Sequence, residues 1–135
     1  MRMMGIDYGD KRVGIALSDP LGITAQGLAT LTNTGGKKLF EEIDKIIKEK
    51  EVTKIIVGLP KNMNNTEGDR IELTHTFVNR LKTYTDLPII LWDERLTTVV
   101  AHGLLNEMDV RGKKRKAIVD TVAATLILEN YMRSL

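Results

Sequence analysis

The sequence predicts an α/β fold in which a mixed sheet carries helices on both faces. The chain opens with two alternating apolar segments around a glycine-containing turn, which is typical of an antiparallel hairpin. Further on, two short apolar runs are each followed by a segment with helical periodicity, which is typical of βα units. We therefore expect five strands, with antiparallel hairpin strands first and parallel strands after them.

The hairpin is predicted over the first 18 residues. Met4 and Ile6 lead to Gly9, which allows the backbone to turn, and Val13 and Ile15 then alternate with small residues. A turn signal at residues 19–22 separates this hairpin from a third predicted strand at residues 24–32.

The rest of the chain alternates helices and strands. Residues 37–50 have the apolar spacing of an amphipathic helix, and residues 54–58 form a short apolar run typical of a covered strand. A helix is expected from near Thr66; its polar start favours either a phosphate-binding turn or an ordinary loop. Residues 89–92 predict another buried strand. A helix from about Thr97 or Thr98, a loop over residues 108–116 and a last helix over residues 116–131 complete the expected order.

Composition limits the possible functions. The 135 residues fit a single domain, 1–135, and the net charge of +2 does not by itself indicate a polyanionic partner. The chain has no cysteine, which excludes disulfides, thiolate metal sites and cysteine nucleophiles. No apolar run approaches the roughly 18 residues of a membrane span, and no signal peptide is visible, so we expect a soluble cytoplasmic protein.

Acidic residues occur where the pattern otherwise indicates burial. Asp7 interrupts the first strand, Asp93 and Glu94 end the last one, and Asp120 lies in a helix that is apolar on nearly all sides. A turn-capping role for Asp7 and a helix-dipole role for Asp120 are the structural alternatives. If the acids converge at the carboxyl ends of the strands, their repulsion requires a cation, and oxygen ligands favour Mg²⁺ or Mn²⁺. Convergence and three unrelated structural acids both remain open at this point.

Four motifs together resemble one known family. They are Gly5-Ile6-Asp7-Tyr8-Gly9 with Arg12-Val13-Gly14-Ile15-Ala16, Val57-Gly58-Leu59-Pro60, Asp93-Glu94-Arg95-Leu96-Thr97-Thr98, and Asp120 with Ala123-Ala124 and Ile127-Leu128. In order and spacing they resemble the YqgF family of Holliday-junction-resolvase-like nucleases, also described as bacterial pre-16S rRNA nucleases. The resemblance covers nearly the whole chain.

This resemblance implies a ribonuclease-H-like fold and a metal-dependent endonuclease. It assigns the catalytic and metal-binding roles to Asp7, Glu94 and Asp120, with Asp93 as either a neighbour of the site or an auxiliary ligand. It also implies a substrate, the 5′ end of pre-16S rRNA during ribosome maturation, with a Holliday junction as the alternative. The implied partners are nucleic acid (an RNA precursor or branched DNA) and ribosomal particles, but no membrane. We expect a monomer or a homodimer.

Basic residues accompany the acidic motifs and are candidates for binding phosphates. They are Lys11, Arg12, Arg95, Arg111, Lys113, Lys114, Arg115 and Lys116. The alternative for the last five is a solvated mobile loop. Both histidines, His75 and His102, are interpreted as structural or surface residues.

Two rival functions come from other classes. A nucleotide-binding protein related to actin-like ATPases and sugar kinases shares the Asp-x-Gly hairpin, but those proteins generally need two such domains, and the Walker and G-x-G-x-x-G patterns are absent here. A non-catalytic nucleic-acid-binding or ribosome-assembly factor on the same fold is the second rival.

Overall fold

The computed structural model describes residues 2–59, 68–93 and 112–135, with side chains described at 2–59, 70–93 and 121–135. The described strands and helices follow the predicted order. The elements are β1 (Arg2–Tyr8), β2 (Arg12–Ser18), β3 (Ala25–Thr32), α1 (Lys37–Glu49), β4 (Val52–Leu59), α2 (Gly68–Leu81), β5 (Ile89–Asp93) and α3 (Gly112–Arg133).

These described strands form one mixed five-stranded sheet in the order β3-β2-β1-β4-β5. The first three strands are consecutive antiparallel neighbours, whereas β4 pairs parallel with β1 and β5 pairs parallel with β4. Strands β1, β4 and β5 therefore end at the same edge of the sheet, which we call the carboxyl edge. The predicted mixed α/β fold is confirmed.

Helices cover both faces of the sheet because alternate residues of each strand point to opposite sides. On one side, Met4, Ile6 and Val57 pack with Phe40 of α1 and Phe77 of α2, in what we call the α1/α2 core. On the other side, residues of α3 pack on Met3, Ala16 and Ile56, in what we call the α3 core; they are Ala124, Ile127, Leu128 and Tyr131. Within the described residues, no helix is both long enough and apolar enough to cross a membrane.

The structure corrects two sequence predictions. Residues 113–116 belong to α3, which begins at Gly112, so this basic segment is helical rather than a loop. Lysine and arginine are good helix formers, and no proline interrupts the segment. Strand β5 is half-buried rather than fully buried because it is the edge strand of the described sheet.

The other predicted elements are described in part, not at all, or with slightly different ends. The helix predicted from near Thr66 is described only from Gly68 onward, as α2. The helix predicted from Thr97 or Thr98 lies outside the described residues. The predicted third strand, the helix at residues 37–50 and the strand at residues 54–58 are confirmed as β3, α1 and β4, with ends that differ by one or two residues.

Candidate functional site

Asp7 lies near the end of the central strand β1, between two glycines of the neighbouring strands. Its partner on β2 is Gly14, and Gly58 of β4 directly follows Val57, the partner of Ile6. Glycines in strand interiors leave space where a ligand or another backbone can approach closely. The half-buried carboxylate of Asp7 therefore lies between two neighbouring strand positions that carry no side chain.

Alternation along β1 assigns Asp7 to the face covered by α3. Met3 packs in the α3 core, and Gly5 and Asp7 follow at intervals of two residues. Tyr8 belongs to the opposite face, where its ring stacks on Phe77 with 4.4 Å between ring centroids. The end of β1 is thus held by an aromatic contact on one face and carries an acid on the other.

Helix α3 crosses β1 at Gly5, where its backbone approaches the strand closely. A Cβ atom on Gly5 would lie 2.7 Å from the carbonyl oxygen of Ala124 and 2.9 Å from the Cβ of Leu128. Such distances are below normal van der Waals contact, so no side chain fits there without a shift of the helix. This close approach sets the distance between α3 and the sheet.

The direction of α3 follows from the contacts at its other end. Tyr131 accepts a hydrogen bond of 3.0 Å from Nζ of Lys54, and Lys54 pairs with Met3 near the start of β1. Since Tyr131 lies near the start of β1 and Ala124 lies over Gly5, the helix runs antiparallel to the strand.

Positions 7 and 120 lie on the same side of this crossing. Residue 120 is one helical turn before Ala124, about 6 Å along the axis. Asp7 is two residues after Gly5, about 7 Å along the strand. Position 120 is also eight residues after Gly112, two turns inside the helix, so the helix-dipole alternative for Asp120 is wrong, because that effect is limited to the first turn. The side chain of Asp120 lies outside the described ones.

Strand β5 brings a further acid to the carboxyl edge. Asp93 is the last residue of β5 and pairs with Leu59 at the end of β4. Ile90 and Trp92 pack against the α3 core, whereas Leu91 packs against the α1/α2 core. Alternation therefore assigns Asp93 to the face opposite to Asp7.

Glu94 itself lies outside the described residues. Among the described side chains, no three acidic or histidine groups form a cluster that could hold a metal ion. The predicted set Asp7, Glu94 and Asp120 consists of carboxylates, the donors that Mg²⁺ and Mn²⁺ prefer, so its chemistry fits such an ion. The convergence of the three carboxylates stays a prediction.

The candidate phosphate-binding residues fall into three groups. Lys11 is exposed in the β1–β2 turn, and Arg12 is half-buried at the start of β2. Arg95 and Arg111 lie outside the described residues. The other four occupy the first turns of α3, with side chains that are not among the described ones; they are Lys113, Lys114, Arg115 and Lys116. His75 is exposed on α2, as expected for a surface residue, whereas His102 lies outside the described residues.

Two residues that support the end of β1 were missed by sequence reasoning. Arg70 of α2 donates a hydrogen bond of 3.3 Å from Nη2 to the carbonyl oxygen of Tyr8. Asn33 donates from Nδ2 to the carbonyl oxygen of Gly9 at 2.7 Å, and its backbone N–H donates to that of Lys11 at 2.8 Å. These three hydrogen bonds join residues that are distant in the chain, and no local sequence pattern predicts them.

The fold is that of the RuvC-like resolvases, a class with the ribonuclease-H-like sheet expected above. Thermus thermophilus RuvC in complex with a Holliday junction substrate aligns with a TM-score of 0.59 at 14% identity, covering 99% of this chain and 96% of that chain. The fowlpox virus Holliday junction resolvase aligns with a TM-score of 0.54 at 16% identity, covering 100% of both chains. At these identities the likeness concerns the fold alone.

Sequence comparison then defines the family. Residues 1–134 match the model of the family described as "RuvX: Holliday junction resolvase", and the chain belongs to that family. A relative from Thermoanaerobacter pseudethanolicus, named "Putative pre-16S rRNA nuclease", is 53% identical over 135 residues, covering 99% of this chain and 97% of the relative. A relative of the same name from Carboxydothermus hydrogenoformans is 48% identical over 132 residues, covering 98% and 96%.

Proposed function

We propose that this chain is a divalent-metal-dependent endonuclease that hydrolyses phosphodiester bonds of nucleic acid. The observation that carries the proposal is the setting of Asp7. It is an acid in the central strand, flanked by Gly14 and Gly58, on the face that α3 crosses in direct contact with Gly5. A buried strand rarely carries a carboxylate without a cation or partner that compensates its charge. The family match supports the same activity.

Asp7, Glu94 and Asp120 would hold Mg²⁺ or Mn²⁺ through their carboxylate oxygens. Such ions supply an activated water and stabilise the leaving oxygen in phosphodiester hydrolysis. The chain's own contribution is to fix its donors: β1 holds Asp7, the end of β5 leads into Glu94, and α3 carries Asp120. Asp93, on the opposite face of β5, is at most an auxiliary ligand.

Pre-16S rRNA is the favoured substrate, cleaved at its 5′ end during ribosome maturation in the cytoplasm. Full-length relatives at 48–53% identity carry that name. The alternative is a four-way DNA junction, favoured by the family description and by the junction in the RuvC complex. Ribosomal particles are a partner under the first substrate, and paired cuts by a symmetric dimer are expected under the second.

The decisive experiment compares cleavage of a labelled single-stranded RNA containing the 5′ precursor boundary with cleavage of a four-way DNA junction. Each substrate is incubated with Mg²⁺, Mn²⁺ or EDTA. We expect RNA cleavage that requires Mg²⁺ or Mn²⁺. Symmetric junction cuts without RNA cleavage would favour the resolvase, and metal-independent binding without any cleavage would favour a non-catalytic factor.

Two variants separate binding from chemistry. Asp120→Asn should still bind nucleic acid but lose cleavage, because a neutral amide is a poor Mg²⁺ ligand. Neutralising Lys113, Lys114 and Arg115 together should weaken binding and lower the slope of log K against log salt by about 0.7–0.9 for each phosphate that the variant no longer binds. Cleavage at saturating substrate should survive in the second variant. An unchanged salt slope would show that these basic residues form only a solvated surface.

A further inference from the structure

Arg70 is a half-buried cation at the carboxyl edge whose charge is not neutralised by the described side chains. Among the described residues, its guanidinium donates a hydrogen bond to the carbonyl oxygen of Tyr8. The ion pairs between described side chains join residues of α1 and of α3, and none involves Arg70. A guanidinium has five N–H donors in a planar fork that matches carboxylates and phosphates.

The position of Arg70 relates this charge to the candidate site. Tyr8 directly follows Asp7 in β1, so the guanidinium is held at the end of the strand that carries the acid. Asp7 belongs to the α3 face and Arg70 comes from α2 on the other face, but the backbone carbonyl that Arg70 binds lies in the plane of the sheet, at the edge between the two faces. A nucleic-acid strand that crosses this edge with its scissile phosphate over Asp7 can therefore place a neighbouring phosphate at Arg70. We propose that Arg70 binds a phosphate next to the cleaved bond, and the carbonyl of Tyr8 holds the guanidinium in place for that interaction. This inference rests on the proposed nuclease function.

A purely structural role for Arg70 is the competing explanation. In that case the guanidinium only joins α2 to β1, and its removal changes stability but not the number of phosphates bound. The two roles differ in salt dependence, because each bound phosphate contributes about 0.7–0.9 to the slope of log K against log salt.

Helix α2 offers a matched control in Arg80. This residue also donates to a backbone carbonyl, from Nη1 to the oxygen of Gly35 at 2.8 Å, and its guanidinium lies over the Phe40 ring at 4.5 Å. It is ten residues further along the helix, about 15 Å from Arg70. Replacing either arginine with glutamine removes one positive charge from α2 and keeps an amide N–H donor for the backbone carbonyl.

The test measures the dissociation constants of Arg70→Gln, Arg70→Ala, Arg70→Lys and Arg80→Gln over a series of salt concentrations. The probes are a single-stranded RNA and a four-way DNA junction, with Ca²⁺ in place of Mg²⁺. We expect Arg70→Gln to bind roughly tenfold or more weakly, as for the loss of one charged hydrogen bond, with a salt slope lower by about 0.7–0.9. Arg70→Lys should keep the parental slope, and Arg80→Gln should keep both slope and affinity.

The outcomes separate this inference from the function on which it rests. If the parent chain cleaves a probe with Mg²⁺ but Arg70→Gln keeps the parental slope, Arg70 is structural and the inference is wrong. Glutamine retains an N–H donor for the Tyr8 carbonyl. If Arg70→Ala fails to fold, the salt slope of Arg70→Gln therefore still shows whether Arg70 binds a phosphate. If the parent chain cleaves neither probe with Mg²⁺ or Mn²⁺, the proposed function itself fails.

Discussion

The two faces of the sheet differ in how their helices pack against the strands. The α1/α2 core contains a group of aromatic rings in contact. The ring centroid of Phe40 lies 5.5 Å from that of Phe77 and 5.3 Å from that of Tyr84, and Phe77 stacks on Tyr8. The α3 core combines Ile127, Leu128 and Tyr131 with small residues, including Ala16 and Ala124, and here α3 contacts Gly5 directly.

This difference indicates different roles for the two faces. Large rings remove much apolar surface from water and so supply stability. Small residues supply less apolar area but allow a backbone-to-backbone contact, which sets the position of α3 and of residue 120 relative to β1. We therefore expect substitutions on the first face to change stability, and substitutions on the second face to change activity as well.

Phe77→Ala should produce the largest loss of stability. The ring is 2% exposed and contacts two other rings, and such truncations cost about 3–5 kcal/mol. This predicts a fall in Tm of roughly 10 °C or more, measured by circular dichroism or calorimetry. Leu73→Ala on the exposed side of the same helix is the control and should change Tm little. Cleavage per folded molecule at low temperature should stay near parental; a large decrease there would contradict the separation of roles.

Asp7→Asn should abolish most activity without unfolding the protein. Replacing residues that only orient metal ligands lowers metal affinity or activity by about 10–100-fold. Replacing a ligand itself should therefore lower the single-turnover cleavage rate by at least about 100-fold. Asp10→Asn, an exposed acid in the following turn, is the matched control and should cleave normally. If Asp7→Asn cleaves at the parental rate with Mg²⁺, the metal site is assigned incorrectly.

Gly5→Ala should lower both stability and activity. The added methyl group meets the backbone of α3 at 2.7 Å, so the helix must shift, at a cost of about 1–3 kcal/mol. The shift also moves residue 120 relative to Asp7. We therefore expect a lower kcat and a higher Mg²⁺ concentration for half-maximal cleavage. Gly36→Ala is the control, because nothing lies within 4 Å of its added Cβ. Parental cleavage by folded Gly5→Ala would show that the site tolerates movement of α3.

Asp19→Asn should have the smallest effect, a slight loss of stability at neutral pH that disappears at acid pH. The backbone N–H of Thr24 donates a hydrogen bond to the Asp19 carboxylate, and so does that of Ile23. These bonds, that of Thr24 first, lower the pKa of Asp19 from the ordinary value of 3.8. A lowered folded-state pKa stabilises the fold above 3.8, and this contribution is lost as the pH falls through the folded-state pKa. Asparagine keeps an acceptor but does not titrate, so the variant should lose less Tm than the parent below pH 3.8. If the Tm of the parent and that of the variant fall equally with pH, the two hydrogen bonds do not stabilise the ionised carboxylate more than the protonated one.

Local sequence patterns predicted most of the fold. An apolar run before Gly9 predicted β1, and alternation after it predicted β2. The spacing of Leu39, Phe40 and Ile43 predicted α1, because burial of one helix face imposes a period of about 3.6 residues. The start of α3 was predicted about four residues too late, since a run of basic residues is compatible with either a loop or a solvated helix turn.

The sequence by itself determined which residues have a chemistry that requires a partner. Asp7 and Asp120 are recognisable because a carboxylate in an apolar segment is costly, and that cost depends only on the local pattern. Only the tertiary structure decided how these positions are arranged. The contact of Gly5 with Ala124, the assignment of Asp93 to the opposite face and the hydrogen bond of Arg70 to Tyr8 all join distant segments. Such contacts depend on strand register and helix packing, which no short stretch of sequence specifies.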